Sequence, residues 1–163
     1  MRFTFRRLDA VADAPLLHSW VTQPYASFWG MLSASVEDVV EEYLPGSSPL
    51  AGIYPVLPGD VGMHLLVAPP SGNPESGYTA SVMDAVLGRL FAKPEVERVV
   101  VEPDARNTRI HALNERLGFQ PAGIVTLPDK DALLSFCSRS DYLAARTALF
   151  STTRTSIPQG ASL

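Results

Sequence analysis

Three consecutive residues, Gly77, Tyr78 and Thr79, begin a predicted helix that follows an apolar strand and a glycine-bearing loop. This order of elements can hold a pyrophosphate, because the unpaired backbone N–H groups of a helix N-terminus and the helix dipole both point at the anion. The strand is the apolar run from Val61 to Ala68. The same pattern also fits a plain connection in which glycine only makes the turn tight, so this segment alone leaves both interpretations open.

The chain offers few residues for metal or thiol chemistry. Its three histidines and single cysteine show no spacing that is typical of a metal site, so we expect no metal. Cys137 cannot form an internal disulfide, which favours a cytoplasmic location. His64 lies in the apolar run, where a lone histidine is more often a hydrogen-bonded core residue than a functional group.

Composition narrows the class of protein. The 163 residues are 46% hydrophobic and 18% charged, which predicts one globular domain over residues 1–150 and a disordered tail over residues 151–163. With 13 Lys and Arg against 17 Asp and Glu, the formal net charge is −4, so we expect no nucleic-acid partner. No window reaches the roughly 18 apolar residues of a membrane span, so we expect no membrane insertion.

Hydrophobic periodicity and capping residues predict alternating helices and strands that share a single sheet, an α/β or α+β fold. Asp13 and a capping box from Ser35 to Asp38 open the first two helices, and Gly118 ends the fourth. The predicted helices cover residues 14 to about 23, 35–43, 77–91, 107–117 and 142–150. The predicted strands cover residues 3–8, 50–56, 61–68, 98–102, 119–127 and 132–137.

A second pattern is more specific than the helix N-terminus. Asn107 begins a predicted helix, and Phe119, in the segment LNERLGF, follows it by 119 − 107 = 12 residues. This arrangement resembles the second half of the GCN5-related N-acetyltransferases (GNAT). Further segments resemble the lysine N6-acyltransferases of siderophore biosynthesis, of the aerobactin, rhizobactin, alcaligin and mycobactin type: LHSW, FWGM, DVGMH, EPDARN and LPDKDAL. The resemblance runs from Phe5 to Phe150.

The resemblance implies a GNAT fold over residues 1–150 and an enzyme that acylates a small amine or hydroxylamine. The implied donor is acetyl-CoA or a longer acyl-CoA, with an acyl carrier protein as an alternative. The implied acceptor is the N6-amine or N6-hydroxylamine of a lysine-derived siderophore precursor. Two other functions stay open: an acetyltransferase for another amine such as an aminoglycoside, and a non-catalytic acyl-CoA-binding protein.

Within that family a histidine and an aspartate form the proposed catalytic pair, and the matching positions are His64 and Asp104. A lysine amine, with a pKa of about 10.4, must lose a proton before it attacks a thioester, so His64 is the implied base. Asp104 would orient the imidazole or hold the substrate ammonium, although aspartate is also a common turn residue. Trp20 and Trp29 would line the substrate cleft, or belong to the core. The implied coenzyme contacts are Val67, Gly77, Tyr78, Thr79 and Asn107.

One departure from the family pattern concerns the middle of the sheet. Ile53 and Val61 are only 61 − 53 = 8 residues apart, whereas a further strand with its loops needs roughly 15 to 25 residues. The sequence therefore predicts that a strand is missing between Tyr54 and Asp60. The strand that starts at Val61 should then pair directly with the preceding predicted strand or leave an exposed edge.

Overall fold

The computed structural model describes residues 2–43, 52–68, 70 and 72–152, and it contains a mixed sheet flanked by helices, which confirms the predicted α+β fold. Residues 153–163 of the predicted disordered tail lie outside the described residues. The helices are α1 (Ala14–Val21), α2 (Val36–Tyr43), α3 (Tyr78–Phe91), α4 (Thr108–Arg116) and α5 (Arg139–Thr152), with a 3₁₀ helix at Pro24–Trp29. The strands are β1 (Asp60–Gly62), β2 (Arg98–Val101), β3 (Gln120–Thr126) and β4 (Asp131–Ser138).

The sheet has the strand order β1-β2-β4-β3. Strands β1 and β2 are parallel, and their register pairs Asp60 with Arg98 and Gly62 with Val100. The pairings of β2 with β4 and of β4 with β3 are antiparallel. After Gly62 one more hydrogen bond joins the two parallel chains, from Met63 N to Val100 O at 2.9 Å. Beyond it, no strand pairing joins them within the described residues, and their carboxyl ends share one edge of the sheet.

The helix ends follow capping chemistry that is visible in the sequence. Ser35 and Asp38 bond reciprocally: Asp38 N donates to Ser35 Oγ at 3.1 Å and Ser35 N donates to Asp38 Oδ2 at 2.7 Å, which confirms the predicted capping box. Asn107 caps α4 by accepting a hydrogen bond of 3.3 Å from the backbone N–H three residues later. Gly118 follows α4 with a φ of +97°, and a Cβ there would lie 2.7 Å from Asp141 O. Both facts require glycine at this position.

The main core lies on one face of the sheet, under α3. Val99 and Val101 of β2 belong to it together with Cys137 of β4, as the two-residue repeat of a strand requires. Met83 and Leu87 of α3 pack against them and are buried. A second, smaller core joins α1 to α2 and consists of Ala14, Leu17, Val21 and Val39.

The opposite face of the sheet is covered by the segment that precedes β1. Tyr54 packs edge-on against Phe136 of β4, with ring centroids 5.3 Å apart. The Arg98 guanidinium lies 4.2 Å from the centroid of the Phe136 ring. Ile53 packs against the cluster formed by Val100 and its neighbours on this face. The short connection before β1 therefore covers the sheet instead of extending it.

The strand predicted at residues 3–8 is wrong, because this segment has no strand structure. Phe3 packs edge-on against the ring of Tyr78, with centroids 6.1 Å apart, and the Arg89 guanidinium lies 5.1 Å from the centroid of the Phe5 ring. An alternating pattern specifies which side chains share a face but does not name a partner strand. Here the aromatic side chains contact α3.

Two strands predicted before α3 also need correction. The strand predicted at 61–68 is limited to β1, because the residues after Gly62 do not pair as a strand. Of the strand predicted at 50–56, the first two residues lie outside the described residues, and residues 52–56 form a turn and irregular chain. Among the described residues no strand lies between Tyr54 and β1, as predicted, and β1 is an edge strand of the sheet.

One ion pair fixes β1 on β2. Asp60 accepts two hydrogen bonds of 2.8 Å from Nε and Nη2 of Arg98, the residue opposite it in the ladder. The Asp60 side chain is buried, and it also accepts from Leu57 N at 2.9 Å. The hydrogen bonds from Arg98, and then that from Leu57, hold the pKa of Asp60 below its usual value. Asp60 is therefore an ionised anchor at the start of β1.

Replacing this anchor, Asp60→Asn, should lower the free energy of unfolding by about 2 kcal/mol, because it leaves the partly buried Arg98 guanidinium without a charge partner. Urea unfolding at neutral pH measures the change. Glu95→Gln removes the same charge from an exposed position in the turn before β2, and it should change the stability by less than about 0.5 kcal/mol. Equal losses in the two variants would contradict the role of Asp60.

Candidate active site

A cavity of about 420 Å³ lies at the edge of the sheet where β1 and β2 end. One wall is the chain after β1, residues 63–66, and a second wall is the end of β2 and the chain after it, residues 101–104. Open sheets bind ligands at such strand ends. The 3₁₀ helix, α4 and the turn between β3 and β4 complete the walls with residues that include Tyr25, Phe28, Trp29, Asn107, Ile110, Asn114, Asp129 and Lys130.

His64 and Glu102 face each other across these two walls. His64 Nε2 lies 3.1 Å from Glu102 Oε1, and the His64 side chain is 46% exposed whereas that of Glu102 is 3% exposed. The parallel register favours the contact: each residue of β1 pairs with the residue 98 − 60 = 38 positions later, and His64 and Glu102, just beyond the paired residues, are also 102 − 64 = 38 positions apart. The Trp29 ring stands edge-on to the His64 ring, with centroids 6.1 Å apart. The imidazole is thus held at the wall by a carboxylate and an indole.

This geometry makes His64 a candidate general base. We assign the proton of the neutral ring to Nε2, which donates it to Glu102. Nδ1 is then the nitrogen that can accept a proton. A buried carboxylate in this position also stabilises the imidazolium that forms when the base takes a proton. The second oxygen of Glu102, Oε2, is buried and has no hydrogen-bond partner. It is therefore able to accept a hydrogen bond from a ligand.

Asp104 lies in the same cavity, but its carboxylate is bonded elsewhere. Oδ2 accepts from Arg106 Nη2 at 2.6 Å, and Oδ1 accepts from Arg106 Nε at 2.9 Å and Arg106 N at 2.8 Å. The side-chain bonds of Arg106 are the main reason that the pKa of Asp104 is lowered to about 2. The cavity thus contains both residues of the predicted pair, but the residue that contacts His64 is Glu102.

The sequence did not single out Glu102 or Arg106, although each leaves a signal there. Glu102 is a charged residue at the end of the strand predicted at 98–102, directly after three valines. Arg106 follows Asp104 by two residues in a turn, where side chain and backbone of the same residue can both bond to an aspartate. Neither signal specifies a partner without the register of β1 against β2.

The lining of the cavity is acidic. Arg106 neutralises one carboxylate from outside the lining, and its side chain is 78% exposed. A partly enclosed cavity with an excess of carboxylates attracts cations. Four carboxylates and one lysine line it: Glu42, Glu102, Asp104, Asp129 and Lys130.

Two groups of predicted coenzyme and substrate residues occupy different places. Asn107 and Trp29 line the cavity. Gly77, Tyr78 and Thr79 lie outside it, at the exposed start of α3, where Gly77 has a φ of +78°. An exposed first turn of a 14-residue helix is what anion binding at its N–H groups requires. The pyrophosphate contact at these three residues therefore stays a prediction.

Trp20 and Val67 do not line the cavity. Trp20 packs against the small core between α1 and α2. Val67 lies in the chain between β1 and α3, beyond the cavity wall. Over residues 2–43, 52–68, 70 and 72–152, no cluster of three or more His, Cys, Asp or Glu is arranged to hold a metal ion. No helix in that part of the chain is long and apolar enough to cross a membrane.

Comparisons with known proteins cover the same region. The model of the acetyltransferase (GNAT) domain family matches residues 39–127. An aminoglycoside N(6')-acetyltransferase type 1 from Klebsiella pneumoniae is 24% identical over 173 residues, which cover 86% of this chain and 86% of the relative. An N-hydroxyputrescine acetyltransferase from Acinetobacter baumannii is 27% identical over 93 residues, which cover 57% of this chain and 44% of the relative.

Two solved structures share the fold. An uncharacterised protein from Bacillus halodurans has a TM-score of 0.78 and 23% identity, over 90% of this chain and 89% of its own. An aminoglycoside acetyltransferase in complex with coenzyme A has a TM-score of 0.67 and 24% identity, over 86% of this chain and 97% of its own. Both establish likeness of fold.

Removing the partner of Asp104, as in Arg106→Gln, should raise the pKa of Asp104 from about 2 towards its usual value. In the wild type Asp104 is more acidic when folded than when unfolded. Its contribution to stability is therefore present above a pH of about 4 and is lost as the pH falls towards about 2. Between these limits the wild type should lose more free energy of unfolding than the variant.

Urea unfolding at a series of pH values measures this difference. Arg109→Gln removes an exposed arginine of α4 and should follow the wild type. If Arg106→Gln kept the pH dependence of the wild type, the ion pair would not be the cause of the low pKa of Asp104.

Proposed function

The chain belongs to the acetyltransferase (GNAT) domain family and is an N-acetyltransferase that uses acetyl-CoA, and we propose that its acceptor is the N6-amine or N6-hydroxylamine of a lysine-derived siderophore precursor. The observation that carries the proposal is the imidazole of His64, which Glu102 holds in an acidic cavity at the ends of β1 and β2. A base in contact with a carboxylate is what an amine acceptor needs.

The acyl donor is proposed to enter where the segments that continue β1 and β2 separate. The gap between residues 63–66 and 101–104 opens beyond the last ladder hydrogen bond, and α4 forms its third side. The exposed first turn of α3 is proposed for the pyrophosphate, with Val67 and Asn107 as further predicted contacts. The structural neighbour in complex with coenzyme A supports a CoA donor. Because acyl-CoA is a cytoplasmic metabolite, the proposal implies a cytoplasmic location.

The acceptor nitrogen reacts as the neutral amine or hydroxylamine. A lysine ammonium therefore first releases one proton to solvent, through His64, and then loses a second proton as the amide forms, whereas a hydroxylamine loses only one. The neutral nitrogen attacks the thioester carbonyl, a C–N bond forms, the C–S bond breaks, and Nδ1 of His64 takes the proton that the nitrogen loses in this step. Glu102 stabilises the resulting imidazolium across the 3.1 Å contact. The leaving thiolate is protonated by the imidazolium or by water; the amide side chain of Asn114, which also lines the cavity, has no acidic proton to give.

Charge and size support a slender cationic acceptor. Four carboxylates line the cavity against one lysine, and Arg106 neutralises one of the four from outside, so the remaining excess of negative charge favours a positively charged nitrogen compound. The volume of about 420 Å³ must also take the thioester end of the donor, which favours an aliphatic chain such as that of lysine. The N-hydroxyputrescine acetyltransferase similarity supports a hydroxylamine on such a chain.

An aminoglycoside is the second candidate acceptor. The aminoglycoside N(6')-acetyltransferase matches 86% of this chain, whereas the N-hydroxyputrescine enzyme matches 57%. The acidic lining would also suit a polycation. Most of the sugar rings would have to lie outside the cavity, however, and this is why we place the aminoglycoside second.

Thiol release from acetyl-CoA with lysine, N6-hydroxylysine or an aminoglycoside as acceptor tests the proposal. We expect the highest kcat/KM with one of the two lysine compounds. His64→Ala should lower kcat by about 100- to 10,000-fold, because the proton acceptor is lost. His18→Ala is the matched control, because the His18 ring bonds to Ala34 O at 3.0 Å and lies outside the cavity, and its kcat should stay within about twofold of the wild type.

The other outcomes are equally specific. Turnover with the aminoglycoside but neither lysine compound would select the second candidate. Binding of CoA with no turnover of any amine would identify a non-catalytic acyl-CoA-binding protein and would contradict the proposal. Equal kcat in His64→Ala and the wild type would exclude His64 as the base.

The two tryptophans provide a separate test of the cavity, because Trp29 lines it and Trp20 does not. Titration with acetyl-CoA should change the tryptophan fluorescence of Trp20→Phe, which keeps Trp29. It should leave the fluorescence of Trp29→Phe nearly constant, while calorimetry checks that this variant still binds. A change in Trp29→Phe as large as in Trp20→Phe would contradict the proposed location of the donor.

A further inference from the structure

Three buried side-chain atoms lack a hydrogen-bond partner in the described part of the chain: Glu102 Oε2, Asn114 Oδ1 and His111 Nδ1. Glu102 and Asn114 both line the active-site cavity, whereas His111 does not. Asn114 is only 3% exposed. A buried acceptor without a donor is costly to the folded state, and one that lines a cavity can obtain its donor from a ligand. Both unpartnered atoms in the cavity are oxygens that accept hydrogen bonds, so a ligand with N–H or O–H groups would satisfy them.

Asn114 belongs to a stripe of α4 that faces the cavity. Asn107, Ile110 and Asn114 line it, at the spacing of three and four residues that shares one helix face. The stripe extends for 114 − 107 = 7 residues, or about 10 Å along the helix axis. The Asn107 oxygen is engaged in the helix cap, where it accepts from Ile110 N at 3.3 Å. Asn114 is the position of the stripe with an acceptor still available.

We infer that Asn114 is a positioning residue for the acyl donor: its Oδ1 accepts the amide N–H nearest to the thioester sulfur of acyl-CoA. This inference rests on the proposed function. The pantetheine part of acyl-CoA, which ends in the thioester, carries amide groups between short methylene chains. If it lies along α4, it meets the stripe of α4, which has asparagines at its ends and Ile110 between them. A neutral amide oxygen suits a neutral N–H, while the charged acceptor nitrogen is better matched by the carboxylate of Glu102. Held in this way, the thioester carbonyl would be presented to the nitrogen beside His64.

Asn114→Leu separates this role from a structural one. Leucine has a similar size and removes the unpartnered oxygen, so the melting temperature without ligand should stay the same or rise. The Kd for CoA, measured by calorimetry, should rise about tenfold, while the KM of the acceptor should change by less than about twofold. Asn114→Ala is the second variant, and it should weaken CoA binding by a similar factor.

His111→Leu is the matched control, because it removes another unpartnered buried nitrogen from the same helix, outside the cavity. Its Kd for CoA should stay within about twofold of the wild type. A loss of CoA affinity as large as in Asn114→Leu would show a general effect of α4 and would overturn the inference.

A modified donor tests the hydrogen bond itself. An acetyl-pantetheine analogue in which the amide nearest to sulfur is replaced by an ester lacks the N–H. The wild type should bind it about tenfold more weakly than acetyl-pantetheine, and Asn114→Leu should bind the two equally. An equal penalty in both proteins would overturn the inference.

The two proposals fail in different ways. Turnover of an amine with unaltered CoA affinity in Asn114→Leu would overturn the role of Asn114 and leave the proposed function intact. Asn114-dependent CoA binding without turnover of any amine would overturn the proposed function and leave the role of Asn114 intact. A wild type that binds no CoA would overturn both.

Discussion

The candidate site depends on the short parallel pairing of β1 and β2. The pairing is fixed at its start by the ion pair of Asp60 with Arg98, and its last hydrogen bond runs from Met63 to the carbonyl of Val100. Just beyond this ladder His64 and Glu102 lie at the same offset of 98 − 60 = 38 residues, and their side chains are in contact. A slip of one residue would turn the alternating side chains to the opposite faces and break this contact. A longer ladder would close the gap between the two walls, so the early end of the pairing is itself a requirement of the site.

The short connection before β1 shows how a sheet can do without a further strand. Its Tyr54 lies on the sheet face, and the Arg98 guanidinium lies 5.9 Å from the Tyr54 ring centroid and 4.2 Å from that of Phe136. The same guanidinium holds Asp60 at the sheet edge. Arg98 thus connects β1, at the edge of the sheet, to the segment around Tyr54 that covers this face of the sheet. The exposed edge is only three residues long, which limits the backbone available for pairing with another chain.

The sequence predicts those parts of the fold whose signals are local. The Ser35 capping box, the glycine after α4 and the apolar repeat of α3 each report on residues within one or two turns. The strands predicted at residues 3–8 and 61–68 needed correction, because a pattern of side chains does not identify the strand that pairs with it. The family resemblance implies that Asp104 orients the imidazole of His64 or holds the substrate ammonium, whereas the carboxylate in contact with His64 in the structure is that of Glu102. In an extended chain the side chains of residues two positions apart, such as Glu102 and Asp104, point to the same side. Only the register therefore decides which of them lies beside His64.

The two carboxylates after β2 differ in what is bonded to them, and this difference separates their roles. Asp104 has a guanidinium on both oxygens and a backbone N–H on one, and its pKa of about 2 keeps it ionised. Arg106 thus occupies three of the roughly four acceptor positions of the Asp104 carboxylate. Asp104 also forms a backbone bridge to Ala132 of β4, so it shapes the turn that leads into α4. Glu102 has one oxygen on His64 and one with no partner. In the proposed reaction the acceptor nitrogen would therefore meet a carboxylate oxygen without a partner beside the imidazole, while the turn held by Asp104 leads into α4, which lines the side of the cavity.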